Sequence, residues 1–268
     1  MNPLFSIITP TYNCGPKLHS TLESVQLQDF KDFEYLIIDG NSRDGTKERL
    51  AGIGDSRVRS LSEPDKGIYD AMNKGVKLAR GKYLLFLGAG DQLLPGVLRQ
   101  ISQYLPKEDL AVLYGNVLWG GKVDEIYDGE FSKLKLCSKN ICHQAIFYTR
   151  NVFNAVGDYD LEYPALADWV LNMKCFGNSR IKIRHVPIAV STFELGGCSG
   201  NGDPGFDTDR NSLIWRHLGM FTYWQYKLPH VKDSLGNIIA RARRLLRPFI
   251  PSIILRTKRK MLRFFFRH

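Results

Sequence analysis

At 268 residues and 44% apolar composition, the chain can bury one large core without disulfides, which argues against both a disordered polypeptide and a cystine-stapled mini-domain. Its formal charge of +10 comes entirely from ten cations between Arg241 and Arg267 (Arg241, Arg243, Arg244, Arg247, Arg256, Lys258, Arg259, Lys260, Arg263, Arg267), where no acid stands. The body is therefore neutral, against the basic active face of a nucleic-acid enzyme, and no nucleic-acid partner is expected.

The first apolar run has no basic stretch before it and is cut short by Pro10 and Asn13, so no signal peptide is expected. Nowhere do about 18 apolar residues run together, as a membrane span requires. The cysteines at 14, 137, 142, 175 and 198 are scattered, without a CxxC pair, and fit a reducing compartment.

In chain order, Phe5–Thr9 reads as a buried strand, followed by a Pro-Thr-Tyr-Asn turn and a helix over 16–27 with Leu18, Leu22 and Val25 at helical spacing. Tyr35–Ile38 is a second strand. Asp44 or Thr46 caps a short helix to Leu50, Val58–Leu61 is a third strand, Gly67–Ala79 a helix and Tyr83–Leu87 a fourth strand. This alternation predicts a mostly parallel sheet flanked by helices.

Beyond Asp91 the pattern predicts a helix over 94–104, a strand over 110–114 and a hairpin over 117–126 turning at Gly120 and Gly121. A strand within 142–150, a helix over 164–176 and a strand over 181–190 come next. A glycine-rich loop over 196–205 and helices over 207–226 and 231–246 complete the chain. The expected organisation is one catalytic domain over 1–232, with a nucleotide half to residue 105 and an acceptor half from 106, and a basic tail over 233–268.

The most informative stretch is Leu84–Asp91, LLFLGAGD, an apolar strand that empties into a small-residue turn ending in one carboxylate. Open α/β sheets bind ligands at that edge. Asp39 ends the second strand in the same way, and a carboxylate there can accept hydrogen bonds from a nucleobase or ribose, or simply form the turn before Gly40. Asp65, Lys66 and Gly67 open a helix whose N-terminus favours an anion. Lys66 suits a phosphate or an exposed helix start equally well.

Together FSIITPTYN, YLIIDGNSRDGT, EPDKGIYDAMNKGVKLARGKY and LLFLGAGD, in this order and spacing, resemble the family 2 inverting glycosyltransferases of the GT-A fold, with a likeness to exopolysaccharide and colanic acid transferases. The resemblance covers residues 4–200 or so. It implies an α/β fold and transfer of a sugar from a nucleoside diphosphate sugar to a glycan or lipid-linked acceptor. It puts Thr9, Pro10, Tyr12, Asn13, Asp39, Asp65, Lys66, Gly67 and Asn73 on the nucleotide-sugar, and Asp91 on a divalent cation, Mn2+ or Mg2+, as the last acid of a DXD-type cluster. Gly88, Ala89 and Gly90 stand where the cluster's other positions fall, so one acid remains.

The same resemblance makes Asp168, in YPALADWVLNMKCF, the general base. It puts His143 and Gln144, and the loop with Gly196 and Gly197, beside the acceptor or diphosphate. Two other readings compete with this one. A nucleotidyltransferase needs a basic glycine-rich loop where this chain has TPTYN, and a catalytically inactive scaffold or carbohydrate-binding protein draws support only from the reduced acidic cluster. The tail's cations, interleaved with Leu, Ile and Phe and broken by Pro248 and Pro251, suit an anionic membrane surface and a cytoplasmic, peripheral location at its inner face.

Overall fold

Apolar strands emptying into polar turns build the first half of the molecule, described with the rest in a computed structural model covering residues 2–119, 126–127, 129–193 and 202–228. Phe5–Thr11 (β1), Gly15–Gln26 (α1), Phe33–Asp39 (β2), Thr46–Ala51 (α2), Val58–Ser62 (β3), Ile68–Leu78 (α3) and Tyr83–Phe86 (β4) follow one another. Every residue of β1, β2 and β4 is buried, as a strand covered on both faces demands. They pair in parallel with β3 in the order β3-β2-β1-β4.

One face carries Phe5, Ile7, Tyr35, Ile37 and Leu85, which cluster with Leu18 and Val25 of α1. Beneath the other lies α3, burying Met72 and Val76. Each such side chain contributes about 1.5–3 kcal/mol.

The second half continues the same sheet. Gln92–Leu93 (β5), Val97–Ser102 (α4), Ala111–Trp119 (β6), Lys133–Leu136 (α5), a 3-10 turn at His143–Ala145, Ile146–Thr149 (β7), Asn151–Val156 (α6), Ala167–Gly177 (α7), Lys182–Phe193 (β8) and Pro204–Leu213 (α8) complete it. The full order is β3-β2-β1-β4-β7-β6-β8-β5, with β7 antiparallel to both β4 and β6, β6 parallel to β8, and β5 antiparallel to β8. The sheet is thus parallel through its first half and mixed beyond it.

Several expected boundaries move. The helix expected over 94–104 shrinks to α4, because Gln92–Leu93 is drawn into pairing with Ser191 and Thr192. The strand over 110–114 runs on through an irregularity to Trp119, held by β8. Leu118 bridges Ile126 antiparallel, while the turn at Gly120 and Gly121 lies outside the described residues. The single helix expected over 207–226 is α8 followed by a π-helical turn, Ile214–Leu218, and Gly219 at φ 93° ends it. Helical residues resume at 220–228, and the helix expected over 231–246 lies outside the described residues.

By contacts, residues to Tyr223 form one compact unit and a second begins at Trp224.

Candidate active site

Six segments converge at the carboxyl ends of β1 and β4 on a cavity of about 370 Å3. The β1–α1 connection contributes Pro10, Thr11, Tyr12, Cys14 and Lys17. The start of α3 contributes Asp65, Gly67, Ile68, Tyr69 and Ala71, and the turn after β4 contributes Gly88, Ala89 and Asp91. The second half of the sheet and its helices supply His143, Ala165, Asp168 and Phe193. A larger cleft of about 450 Å3 at the other end of the strands, near Arg80, Lys82 and Arg150, contains none of the expected site residues.

The α3 N-terminus is shaped by its own carboxylates. Asp65 Oδ1 accepts from the Gly67 amide at 2.9 Å, and Asp70 Oδ2 from the Lys66 amide at 3.0 Å. Asp65 Oδ2 also packs on Gly40, where an added Cβ would stand 2.6 Å from it, with Tyr12 beside them. The end of the second strand, the Tyr12 loop and the Asp-Lys-Gly turn are therefore one wall.

Asp168 is 6% exposed, at the first turn of α7. Its Oδ1 accepts from the Tyr69 hydroxyl at 2.9 Å and from the Trp169 amide at 2.8 Å. Oδ2 stands 3.5 Å from His143 Nδ1. Burial disfavours the imidazolium, but the contact with Asp168 and the charges of Asp168 and Asp91 outweigh it, so His143 titrates above its ordinary value. Its Nε2 is buried without a hydrogen-bond partner.

Other expected site residues do not line this cavity. Thr9 is fully buried and shares a hydrogen bond with the Tyr35 hydroxyl. Asp39 is also fully buried, its oxygens accepting from the Ser42 amide and hydroxyl and from the Ser62 hydroxyl. Asn13 ties the first loop to the second, its amide donating to Ser42 Oγ and its Oδ1 accepting from the Arg43 amide.

Asn73 clamps the backbone of Tyr159, donating to its carbonyl and accepting from its amide, both at 2.9 Å. Lys66 is exposed, and Gln144 is buried with both side-chain polar atoms unpaired. Gly196 and Gly197 lie outside the described residues. Asp44 acts as a cap, accepting from the Gly15 amide and from the amide and hydroxyl of Thr46.

Sequence reasoning passed over Tyr69, Thr11 and Lys17. Tyr69 is the second residue of α3, just beyond the Asp-Lys-Gly turn, where no local signal marks it as a site residue, and it is only 5% exposed. Thr11 carries a buried hydroxyl without a partner in the cavity wall.

Asp91, 7% exposed, presents a hard oxygen donor suited to Mg2+ or Mn2+. A Cβ on Gly88 would stand 2.8 Å from its Oδ2, so the glycine leaves room beside the carboxylate. No group of three or more metal-ligating side chains occurs among the described residues. The donor set fits a divalent ion only as one protein carboxylate completed by ligand oxygens.

A sheet parallel through its first half, with acids at its carboxyl edge and a buried carboxylate facing them from a later helix, is the arrangement of a GT-A fold. The family model described as glycosyl transferase family 2 matches residues 6–155, and the chain belongs to that family as a glycosyltransferase. Over 211 residues it is 39% identical to a PGL/p-HBAD biosynthesis glycosyltransferase of Mycobacterium bovis, covering 74% of this chain and 79% of the relative.

Staphylococcus aureus TarS 1-349, solved with UDP, superposes with a TM-score of 0.61 at 20% identity over 81% of this chain and 65% of that one. The mannosyltransferase PcManGT of Pyrobaculum calidifontis, solved with GDP-Man and Mn2+, gives 0.59 at 14% identity over 92% and 81%. At such identities these two establish the fold.

Proposed function

We propose that the protein moves a sugar, with inversion, from a nucleoside diphosphate sugar to a hydroxyl of a glycan or lipid-linked acceptor in surface polysaccharide assembly. One observation carries this reading: the buried Asp168 opens onto the same cavity as Asp65, Gly67 and Asp91. Tyr12, Asp65 and the Gly67 helix start receive the donor, and Thr9, Pro10, Asn13, Asp39, Lys66 and Asn73 hold or flank that wall. Asp168 takes the proton of the acceptor hydroxyl as its oxygen forms the bond to the anomeric carbon and the bond to the diphosphate breaks. His143 and Gln144, with Gly196 and Gly197, border the diphosphate and acceptor. Asp91 is the side chain that would hold Mn2+ or Mg2+, and such an ion neutralises charge on a departing diphosphate.

Incubation with UDP-, GDP- and dTDP-sugars tests this reading. A cognate donor at a hundred times its dissociation constant stabilises the fold by about 2.7 kcal/mol, visible as a raised melting midpoint. The same donor is expected to release nucleoside diphosphate when acceptor is added. A panel in which no donor does either would refute the assignment.

The protein is also proposed to act in the cytoplasm, against the inner face of the membrane. Among the described residues no helix is long and apolar enough to cross a membrane. Trp215, Met220 and Phe221 are 58%, 63% and 75% exposed, and the ten tail cations each add about 1 kcal/mol at an anionic surface. The intact chain is expected to sediment with phosphatidylserine vesicles at low salt, to be released at high salt, and to ignore phosphatidylcholine vesicles. Sedimentation unaffected by salt or lipid charge would exclude the electrostatic tether.

A further inference from the structure

We infer that Tyr69 is a positioning residue for the reaction, fixing which oxygen of Asp168 receives the acceptor's proton. The inference rests on the reading of Asp168 as the base. A carboxylate oxygen has two lone pairs in the carboxyl plane, and on Oδ1 two donors stand ready for them: the Tyr69 hydroxyl at 2.9 Å and the Trp169 amide at 2.8 Å. Among the described residues Oδ2 has only the His143 ring, at 3.5 Å. Oδ2 is therefore the basic oxygen: the acceptor O–H bond breaks, its proton joins Oδ2, and Oδ1 keeps both donors as the carbonyl oxygen of the acid.

The Tyr69 hydroxyl is well suited to this task. Burial first, and then the Asp168 charge, push its titration far above the ordinary tyrosine range, so it remains a proton donor throughout. The Ala165 carbonyl, 3.0 Å away, marks its second possible acceptor. The ring is fixed by Tyr159 at a centroid distance of 5.2 Å, and Asn73, one turn along the same helix, clamps the Tyr159 backbone. Helix α3 thus reaches the base segment at two points, although Tyr69 and Asp168 are 99 residues apart in the chain. The helix whose first turn borders the donor cavity also aims the base.

The test is a double-mutant cycle between Tyr69→Phe and Asp168→Asn, read by steady-state sugar transfer. Tyr69→Phe is expected to lower kcat about tenfold, to leave donor KM within about twofold, and to cost nothing further in the Asp168→Asn background.

Equal losses from Tyr69→Phe in both backgrounds would overturn the inference, as would normal turnover of the single variant. Unfolding of Tyr69→Phe at the assay temperature would also overturn it, by making the hydroxyl a contact of the fold. Normal transfer by Asp168→Asn alone would instead remove the base assignment, and this inference with it.

Discussion

Replacing Asp168 by asparagine is expected to reduce sugar transfer by about 10²-fold or more while leaving nucleoside diphosphate affinity close to wild type. The amide has the shape of the carboxylate but cannot take up the acceptor's proton. Its remaining oxygen can still receive the Tyr69 hydroxyl and the Trp169 amide, so the start of α7 keeps its anchors. The cavity wall at Tyr12, Asp65 and Gly67 belongs to other elements and is untouched. Loss of the Asp168 charge also removes the contact that holds the His143 imidazolium, so His143 should titrate lower in the variant than in the wild type. Steady-state release of nucleoside diphosphate and calorimetric binding check the two halves of the claim. Near-normal transfer would point to a base elsewhere, with the exposed Glu162 the next candidate.

The second large effect is expected at Asp91. Asp91→Ala should lower turnover about 10²-fold, the loss of roughly 3 kcal/mol of charge stabilisation in the transition state, and should abolish any response to Mn2+ or Mg2+. The reason is chemical: with Gly88, Ala89 and Gly90 before it, Asp91 is the carboxylate this turn offers. Donor binding should weaken as well, because an ion shared with the diphosphate contributes to both. Metal titration against excess chelator, run on wild type and variant together, decides the matter. A wild-type enzyme indifferent to chelator would remove the metal from the mechanism and leave Asp91 some other role.

Much of this was legible before any coordinates. An apolar strand that stops at a small-residue turn carries its own evidence of burial and of where the sheet edge lies, because side-chain burial and turn chemistry are local properties. That sufficed to place Asp39 and Asp91 at the sheet edge and Asp65 and Gly67 at a helix start, while Asp168 was singled out by the likeness of its segment to the family's motif. Local signals misled where long-range pairing overrides them. Gln92–Leu93 looks like the approach to a helix but is held by β8, and β6 outlasts its expected end because β8 gives it a partner to Trp119.

The chain by itself therefore determined the alternation of strand and helix and the acids that end strands or open a helix, Asp39, Asp65 and Asp91, since each is encoded within a few neighbouring residues, while the likeness of its ordered motifs to a known family supplied the class and singled out Asp168. Only the tertiary structure decided what surrounds those carboxylates. Asp39 ends its strand as expected, yet the folding of residues 42 and 62 around it gives its oxygens internal donors. Tyr69 carries no local mark of a site residue, yet the packing of α3 against the 159–168 segment turns its hydroxyl onto Asp168. Hydrogen bonds between residues so distant in the chain leave no periodic trace, because their partners are chosen by the sheet order and the packing of its helices.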